Sequence, residues 1–175
     1  LSMADESRLP GTFLRVKPPL RGPEHAEHIW RALLDGTVDM ISTEHAPHLP
    51  AEKARDSVWD TAPGFPGVET SMPLMLAQVS AGRMTLPEYV RRSSTNAARA
   101  FGLFPRKGLL APGSDADLVL VDMTRRGEVR AAALHSRGNA TPFEGFPLHG
   151  LPVRTLVRGR TVALEGRALD CAGWG

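Results

Sequence analysis

The chain has 175 residues, of which 42% are hydrophobic, and its 21 Lys and Arg against 19 Asp and Glu leave a formal net charge of +2. Because the basic residues form no dense run, nucleic-acid binding is not expected. The single cysteine, Cys171, excludes an internal disulfide and a Cys-rich structural zinc site. No stretch approaches the roughly 18 unbroken apolar residues of a membrane span, so the composition favours a cytoplasmic protein without a membrane partner.

The first hundred or so residues predict alternating extended segments and helices. A short extended piece is expected at 12–16, and a helix that begins near Pro23 and ends at Gly36 follows it. Residues 37–42 are expected to form a strand, and a long loop containing Pro and Gly follows at 47–67. Further helices are expected at 68–81, 85–92 and 96–101. This alternation predicts the α/β class.

Beyond Lys107 the hydrophobic period changes to two residues, which indicates strands. A strand is expected at 116–121, after a turn at 113–115. Residues 154–157 and 160–164 read as a hairpin around Arg158 and Gly159, since glycine supplies the positive φ of a tight turn. A last turn is expected at Glu165 and Gly166, and residues 134–150 are expected to wrap over a surface without regular structure.

An acid and two imidazoles are concentrated where the predicted strand 37–42 ends. Glu44, His45 and His48 all lie in the run Thr43-Glu44-His45-Ala46-Pro47-His48. In α/β enzymes the chemistry lies at such strand ends, and these groups can take a proton, bind a metal or help to hold an anionic substrate. A loop that caps the next helix is the alternative, and the hexapeptide alone does not decide between them.

Several short motifs in register carry a resemblance to a known family. The chain resembles the C-terminal part of the dihydroorotases, which belong to the cyclic amidase branch of the amidohydrolase superfamily. The motifs, in chain order, are Lys17-Pro18-Pro19-Leu20-Arg21, Asp35-Gly36-Thr37-Val38-Asp39, Thr43-Glu44-His45-Ala46-Pro47-His48, Glu52-Lys53, Pro63-Gly64-Phe65-Pro66-Gly67-Val68-Glu69-Thr70, Gly113-Ser114-Asp115-Ala116-Asp117-Leu118, Leu134-His135-Ser136 and Thr141-Pro142-Phe143-Glu144-Gly145.

The resemblance implies a metal-dependent (β/α)8 barrel of the TIM type with a small flanking β-sandwich unit. A complete barrel usually needs roughly 250 residues, so this chain would supply its C-terminal part. Residues 1–106 would form the last part of the barrel, including the active-site loop 43–67. Residues 107–175 would form the β-sandwich strands and a wrapping C-terminal segment.

The resemblance also implies a reaction, the reversible conversion of N-carbamoyl-aspartate to dihydroorotate in pyrimidine biosynthesis. Zinc would lower the pKa of a bound water toward about 7, and an acid would accept that water's proton. Glu44 matches the position of this catalytic acid and is also a candidate metal ligand. His48, Pro63 and Gly64 match substrate-binding positions, and Lys17 stands where the family usually has an Asn that touches substrate.

Two residues depart from the family pattern. Glu44 replaces an Asp, and its extra methylene moves the carboxylate by roughly 1.5 Å, about one bond length. Lys17 replaces an Asn and adds a positive charge. Because site geometry is usually needed within about 0.5 Å, a catalytically silent relative acting as an assembly partner stays an alternative. A hydantoinase or allantoinase type of cyclic amidase and an unrelated small β-rich binding domain are further alternatives.

The resemblance also implies the cofactor and the partners. Zinc is expected for the complete enzyme, and the other metal ligands of the family would map before Leu1, so this portion alone is not expected to hold the metal or to be active. The expected partners are a small anionic substrate, the missing N-terminal half of the barrel and further copies in a homo-oligomer.

Overall fold

The α-helices lie in the first hundred residues of the chain, and the strands, which form one β-sheet, lie after them. The computed structural model describes residues 1–8, 11–138 and 140–174. The α-helices are α1 (Pro23–Asp35), α2 (Pro50–Lys53), α3 (Val68–Ser80), α4 (Leu86–Val90) and α5 (Asn96–Ala100), and a π-helical stretch, Arg91–Thr95, joins the last two. The strands β1 (Leu118–Glu128), β2 (Pro147–Val157), β3 (Arg160–Leu164) and β4 (Arg167–Ala168) are neighbours in that order in one sheet. Among the helices of the described ranges, none is long and apolar enough to cross a membrane.

Helix α1 begins and ends where the sequence predicts. Pro23 occupies its first turn, where a missing N–H costs nothing, and Gly36 ends it in the left-handed conformation at φ 98°. Ile29 and Leu33 lie four residues apart on one apolar face of this helix, and Leu33 is buried whereas Ile29 is 62% exposed. The apolar face of α1 is therefore only partly covered by the described residues.

The predicted β2–β3 hairpin is confirmed. The two strands pair antiparallel, with Val157 opposite Arg160. The two turn residues, Arg158 and Gly159, both have positive φ, at 48° and 80°. Two positive values are what a two-residue turn needs to match the twist of its strands.

Two predicted extended segments are wrong. The extended piece expected at 12–16 is not formed at 12–14, because Gly11–Leu14 form a 3₁₀ helix whose turn is closed by the Arg15 amide donating to the Thr12 carbonyl. Residues 37–42 form no strand, and the Ile41 amide donates instead to the Arg92 carbonyl at 3.1 Å. A strand exists only through a bonded neighbour, which the periodicity of one segment cannot reveal.

Strands also extend further than expected in the second half. Strand β1 continues past Val121 to Glu128. The irregular region expected at 134–150 gives way to β2 at Pro147, so this prediction is wrong for its last residues. A 3₁₀ turn, Ala131–Ala133, comes just before this region.

Contacts within the chain define two compact units. Unit 1 comprises Leu1–Val38, Ser42–Ser71 and Glu128–Pro147, and unit 2 comprises Asp39–Ile41, Met72–Gly127 and Leu148–Gly175. In unit 1 the side chains of Thr61 and Thr141 are almost fully buried, and in unit 2 that of Leu76 is. The division expected near residue 107 concerns the complete enzyme and stays a prediction.

In unit 2, one carboxylate joins the start of β1 to the hairpin turn. Asp117 accepts the Arg158 amide at 2.8 Å and pairs with the Lys107 ammonium, which also pairs with Asp115 at 2.9 Å. Lys107 first, and then the Arg158 amide, lower the pKa of Asp117 from its ordinary value. The carboxylate is therefore held in its charged form, and the turn is fixed against the entry to β1.

A close approach at Gly108 gives a stability prediction. Gly108 has φ 76°, and an added Cβ would lie 2.6 Å from the Ala98 Cβ, whereas Gly113 has φ 93° with open space around it. Gly108→Ala should lower the free energy of unfolding by about 3 kcal/mol through strain and overpacking, and Gly113→Ala by about 1 kcal/mol through strain alone. Denaturant titration of the full-length protein measures both values. Equal losses in the two variants would contradict the packing explanation.

Candidate functional site

Glu44 occupies an unusual backbone conformation. Its φ is 45°, in the left-handed region that costs a non-glycine residue roughly 1–2 kcal/mol. Its side chain is exposed, and its carboxylate has no hydrogen bond or ion pair with any residue in the described ranges. Residues held in this way concentrate at functional sites, where the surrounding structure offsets the strain.

A backbone bridge brings the segment after Glu44 beside residues 63–65. His45 and Phe65 form a parallel bridge, and the Ala46 amide donates to the Phe65 carbonyl at 3.3 Å. Glu44 precedes His45 in the chain and Gly64 precedes Phe65, so the parallel bridge makes Glu44 and Gly64 neighbours. Gly64 has φ 127°, and an added Cβ would lie 2.6 Å from the Ala46 Cβ. Only glycine is compatible with this close approach.

His48 contacts the same segment through one ring nitrogen and faces Glu52 with the other. Nε2 lies 3.2 Å from the Pro63 carbonyl oxygen, and donation across this contact places a proton on that nitrogen. Nδ1 faces a carboxylate oxygen of Glu52 at 3.8 Å, which is longer than a hydrogen bond. The same Glu52 oxygen accepts the Leu49 amide at 2.7 Å, and this bond closes the start of α2.

Lys17 lies in the same unit and has an exposed side chain. Two residues before it, the Arg15 carbonyl accepts the Gly64 amide at 2.8 Å. Unit 1 therefore contains all five predicted site residues, and contacts link His48 with Pro63 and the chain beside Glu44 with Gly64. Their predicted catalytic and substrate-binding roles stay predictions.

His45 serves the start of helix α3. Its Nδ1 accepts the amides of Gly67 at 3.0 Å and Val68 at 3.2 Å. The first amides of a helix have no partner within it, so the imidazole satisfies two donors that would otherwise need water. An accepting Nδ1 places the ring proton on Nε2. The loop-capping reading of the hexapeptide thus describes His45, whereas Glu44 takes no part in this cap.

Glu69 and His135 are joined by two contacts beside the start of α3. One Glu69 oxygen accepts the His135 amide at 2.9 Å, and the other lies 2.8 Å from His135 Nδ1. The pair lines a cavity of about 230 Å³ together with His45 and Ser136. Since both oxygens of Glu69 are engaged, this carboxylate serves a structural contact.

Sequence reasoning assigned no role to Lys53 or Arg15. Lys53 is 4% exposed, and its ammonium donates to the carbonyls of Arg15 at 3.0 Å, Ala62 at 3.1 Å and Gly64 at 2.7 Å. The Arg15 guanidinium donates to the carbonyls of Trp59, at 2.9 Å, and Thr61. Burial, and then the neighbouring Arg15 charge, lower the pKa of Lys53 from its ordinary value. Backbone carbonyls occur at every residue, so no sequence signal marks the partners of these cations.

The described residues do not form a metal site by themselves. A catalytic zinc usually has three protein ligands, and no group of three His, Cys, Asp or Glu side chains in the described part of the chain can hold a metal. Glu44 offers one free carboxylate, and His45 uses Nδ1 to cap α3. These residues can supply at most part of a metal shell.

The chain belongs to the amidohydrolase family, whose family model matches residues 3–162. It is similar to the dihydroorotase of Halobacterium salinarum, with 46% identity over 152 residues that cover 87% of this chain and 35% of that protein. It is also similar to a D-phenylhydantoinase of Escherichia coli, with 37% identity over 164 residues that cover 91% of this chain and 36% of that protein. The chain thus spans little more than a third of the curated relatives it matches.

Solved hydantoinase structures share its fold. The L-hydantoinase (dihydropyrimidinase) from Arthrobacter aurescens has a TM-score of 0.90 and 36% identity, over 97% of this chain and 38% of that one. The D-hydantoinase from Thermus sp. has a TM-score of 0.90 and 35% identity, over 94% of this chain and 36% of that one. The described helices and sheet therefore reproduce a portion of the amidohydrolase fold.

Loss of the His45 cap gives a second stability prediction. His45→Ala removes the acceptor for two amides at the start of α3 and should lower the free energy of unfolding by about 1 kcal/mol, as cap removals typically do. Denaturant titration of the full-length protein measures the change. His25→Ala, on the exposed face of α1, is the matched control and should change it by less than about 0.5 kcal/mol. Equal effects of the two substitutions would show that His45 does not stabilise the start of α3.

Proposed function

We propose that the whole protein is a dihydroorotase-like cyclic amide hydrolase that interconverts N-carbamoyl-aspartate and dihydroorotate. The observation that carries the proposal is the placement of an unpartnered acid, Glu44, in a left-handed conformation beside the Pro63-Gly64 segment. Membership of the amidohydrolase family and the similarity to named dihydroorotases support it. In the whole protein this portion would complete a (β/α)8 barrel with a flanking β-sandwich.

Glu44 would act as the proton carrier of the reaction. In ring opening it accepts a proton from the attacking water and delivers one to the amide nitrogen as the C–N bond breaks, and ring closure reverses both transfers. An exposed carboxylate without an internal partner has its lone pairs free for this task. Zinc, when bound in the whole protein, would polarise the amide carbonyl and acidify the water.

The predicted substrate-binding residues would bind two parts of the substrate, its ring and its carboxylate. The Gly64 amide donates to the Arg15 carbonyl and the Gly64 carbonyl accepts from Lys53, so the segment would offer the ring the second lone pair of the Pro63 carbonyl oxygen. His48, whose Nε2 contacts the Pro63 carbonyl, would help to bind the substrate carboxylate beside that segment. Lys17 would add an exposed ammonium for the same carboxylate.

The charges around this segment favour an anionic ring over a neutral one. Lys53 contacts the Arg15 carbonyl and Lys17 follows Arg15 by two residues, and none of the three pairs with an acidic side chain among the residues that the structure describes. An uncompensated positive potential attracts anions. Dihydroorotate and carbamoyl-aspartate carry carboxylates, whereas hydantoins with an apolar substituent do not. A hydantoinase activity is the second candidate, because hydantoinases are among the similar proteins and structures.

Further parts of the proposal concern the whole protein. Its other zinc ligands would come from polypeptide outside these 175 residues, and its copies would assemble as a homo-oligomer. A cytoplasmic location belongs to the same proposal. A silent assembly partner remains the competing function, and zinc content together with turnover separates the two.

Substitution of the proposed proton carrier tests the function. Glu44→Gln in the full-length protein should reduce kcat by about 10²–10⁴-fold, because an amide cannot carry the proton. Turnover of dihydroorotate, carbamoyl-aspartate and 5-phenylhydantoin measures both the loss and the preferred ring, and zinc analysis with circular dichroism checks that metal and fold are kept.

Two controls accompany this test. Glu24→Gln removes an exposed carboxylate on α1 and should leave kcat unchanged, and Glu44→Asp should keep substantial turnover because it preserves the acid. A Glu44→Gln variant with a near-normal rate would exclude Glu44 from the mechanism. A zinc-free wild-type protein that turns over none of the three compounds would favour the assembly partner.

A further inference from the structure

Lys53 is a buried cation without a carboxylate partner. In the described ranges its ammonium contacts only backbone carbonyls, and its three N–H donors match the three carbonyls of Arg15, Ala62 and Gly64. Burying an ammonium is costly unless its donors are satisfied, so such a group is retained where its hydrogen bonds organise the backbone. The nearby Arg15 charge adds repulsion and gives no ionic stabilisation.

Two of the three carbonyls that Lys53 binds, those of Ala62 and Gly64, belong to one short segment whose carbonyls are all engaged. From residue 61 to residue 65 the carbonyls accept, in turn, from Arg15, Lys53, His48, Lys53 and the Ala46 amide. The amides of Ala62 and Gly64 donate to the carbonyls of Glu52 and Arg15 at 3.1 Å and 2.8 Å. The backbone of this segment is thus tied on both sides, and Lys53 makes two of the five carbonyl contacts.

We infer that Lys53 is a positioning residue that sets the conformation of residues 61–65 and thereby the surface that Pro63 and Gly64 present to the substrate. The conformational half of this inference stands on the contacts alone, and the substrate half rests on the proposed function. Lys53 does not reach the reacting atoms. Its effect on the reaction passes through the segment that it holds.

Loss of the ammonium should change binding more than chemistry. In zinc-loaded full-length protein, Lys53→Met should raise the KM for dihydroorotate about tenfold and change kcat by less than about threefold, because a displaced binding segment loses contacts common to the ground and transition states. Lys53→Arg keeps a charge and several donors and should restore part of the loss. Lys107→Met, which removes a lysine that pairs with Asp115 and Asp117 in unit 2, is the matched control and should leave both constants unchanged.

Hydrogen exchange measured by mass spectrometry tests the conformational half without any activity. In the wild-type protein the amides of Ala62 and Gly64 should exchange at least about tenfold more slowly than those of residues 55–58, and Lys53→Met should remove most of this protection. Exchange in residues 73–80 of α3 should not change.

The outcomes separate the inference from the proposed function. If the segment is unprotected in the wild type, or equally protected in a folded Lys53→Met variant, the inference is overturned whatever the activity. If protection is lost while KM stays within about twofold in an active enzyme, the substrate half is overturned. A wild-type protein inactive on every ring would overturn the proposed function, and the exchange result would still decide the conformational half. Because the wild-type measurement needs no substitution, a variant that fails to fold leaves the test intact.

Discussion

The saturation of five successive backbone carbonyls by side-chain and backbone donors is the constraint on which the candidate site depends. Residues 54–60 contain no regular helix or strand, and such a loop would by itself pay a large conformational entropy to hold one shape. Arg15 donates to the carbonyl of Thr61, and Lys53 donates to those of Ala62 and Gly64. Buried carbonyls left without donors are costly, so the two cations specify one loop conformation.

Local signals predicted the elements whose cause is local. Helix α1 has its Pro23 start and Gly36 end, and the β2–β3 hairpin has a glycine at the turn position that needs positive φ. The chemistry-bearing run around Glu44 could also be located, since an acid and two imidazoles in a short loop are uncommon. These features depend on residues close in sequence, where propensity and turn chemistry act directly.

Features that depend on distant partners could not be predicted in this way. The apolar run at 37–42 was read as a strand, yet a ladder requires a neighbour, and the Ile41 amide binds a helical carbonyl instead. The partners of Lys53 are carbonyls 9 and 11 residues later and one 38 residues earlier, and every residue carries such a group. A helix-capping loop was one reading of the hexapeptide, but the acceptance of two amides at the start of α3 by His45 follows only from the fold.

The same bridge that shapes the loop also accounts for the strained conformation of Glu44. His45 is held from two sides, by its bridge to Phe65 and by the α3 amides on its ring, and Ala46 is held by the Phe65 carbonyl and the close approach of Gly64. With the following two residues fixed, the chain reaches them by a left-handed turn at position 44. The strain of roughly 1–2 kcal/mol is offset by these contacts, and it leaves the carboxylate pointing away from internal partners. An exposed acid without an internal partner has its lone pairs free to carry a proton, which is the role proposed for Glu44.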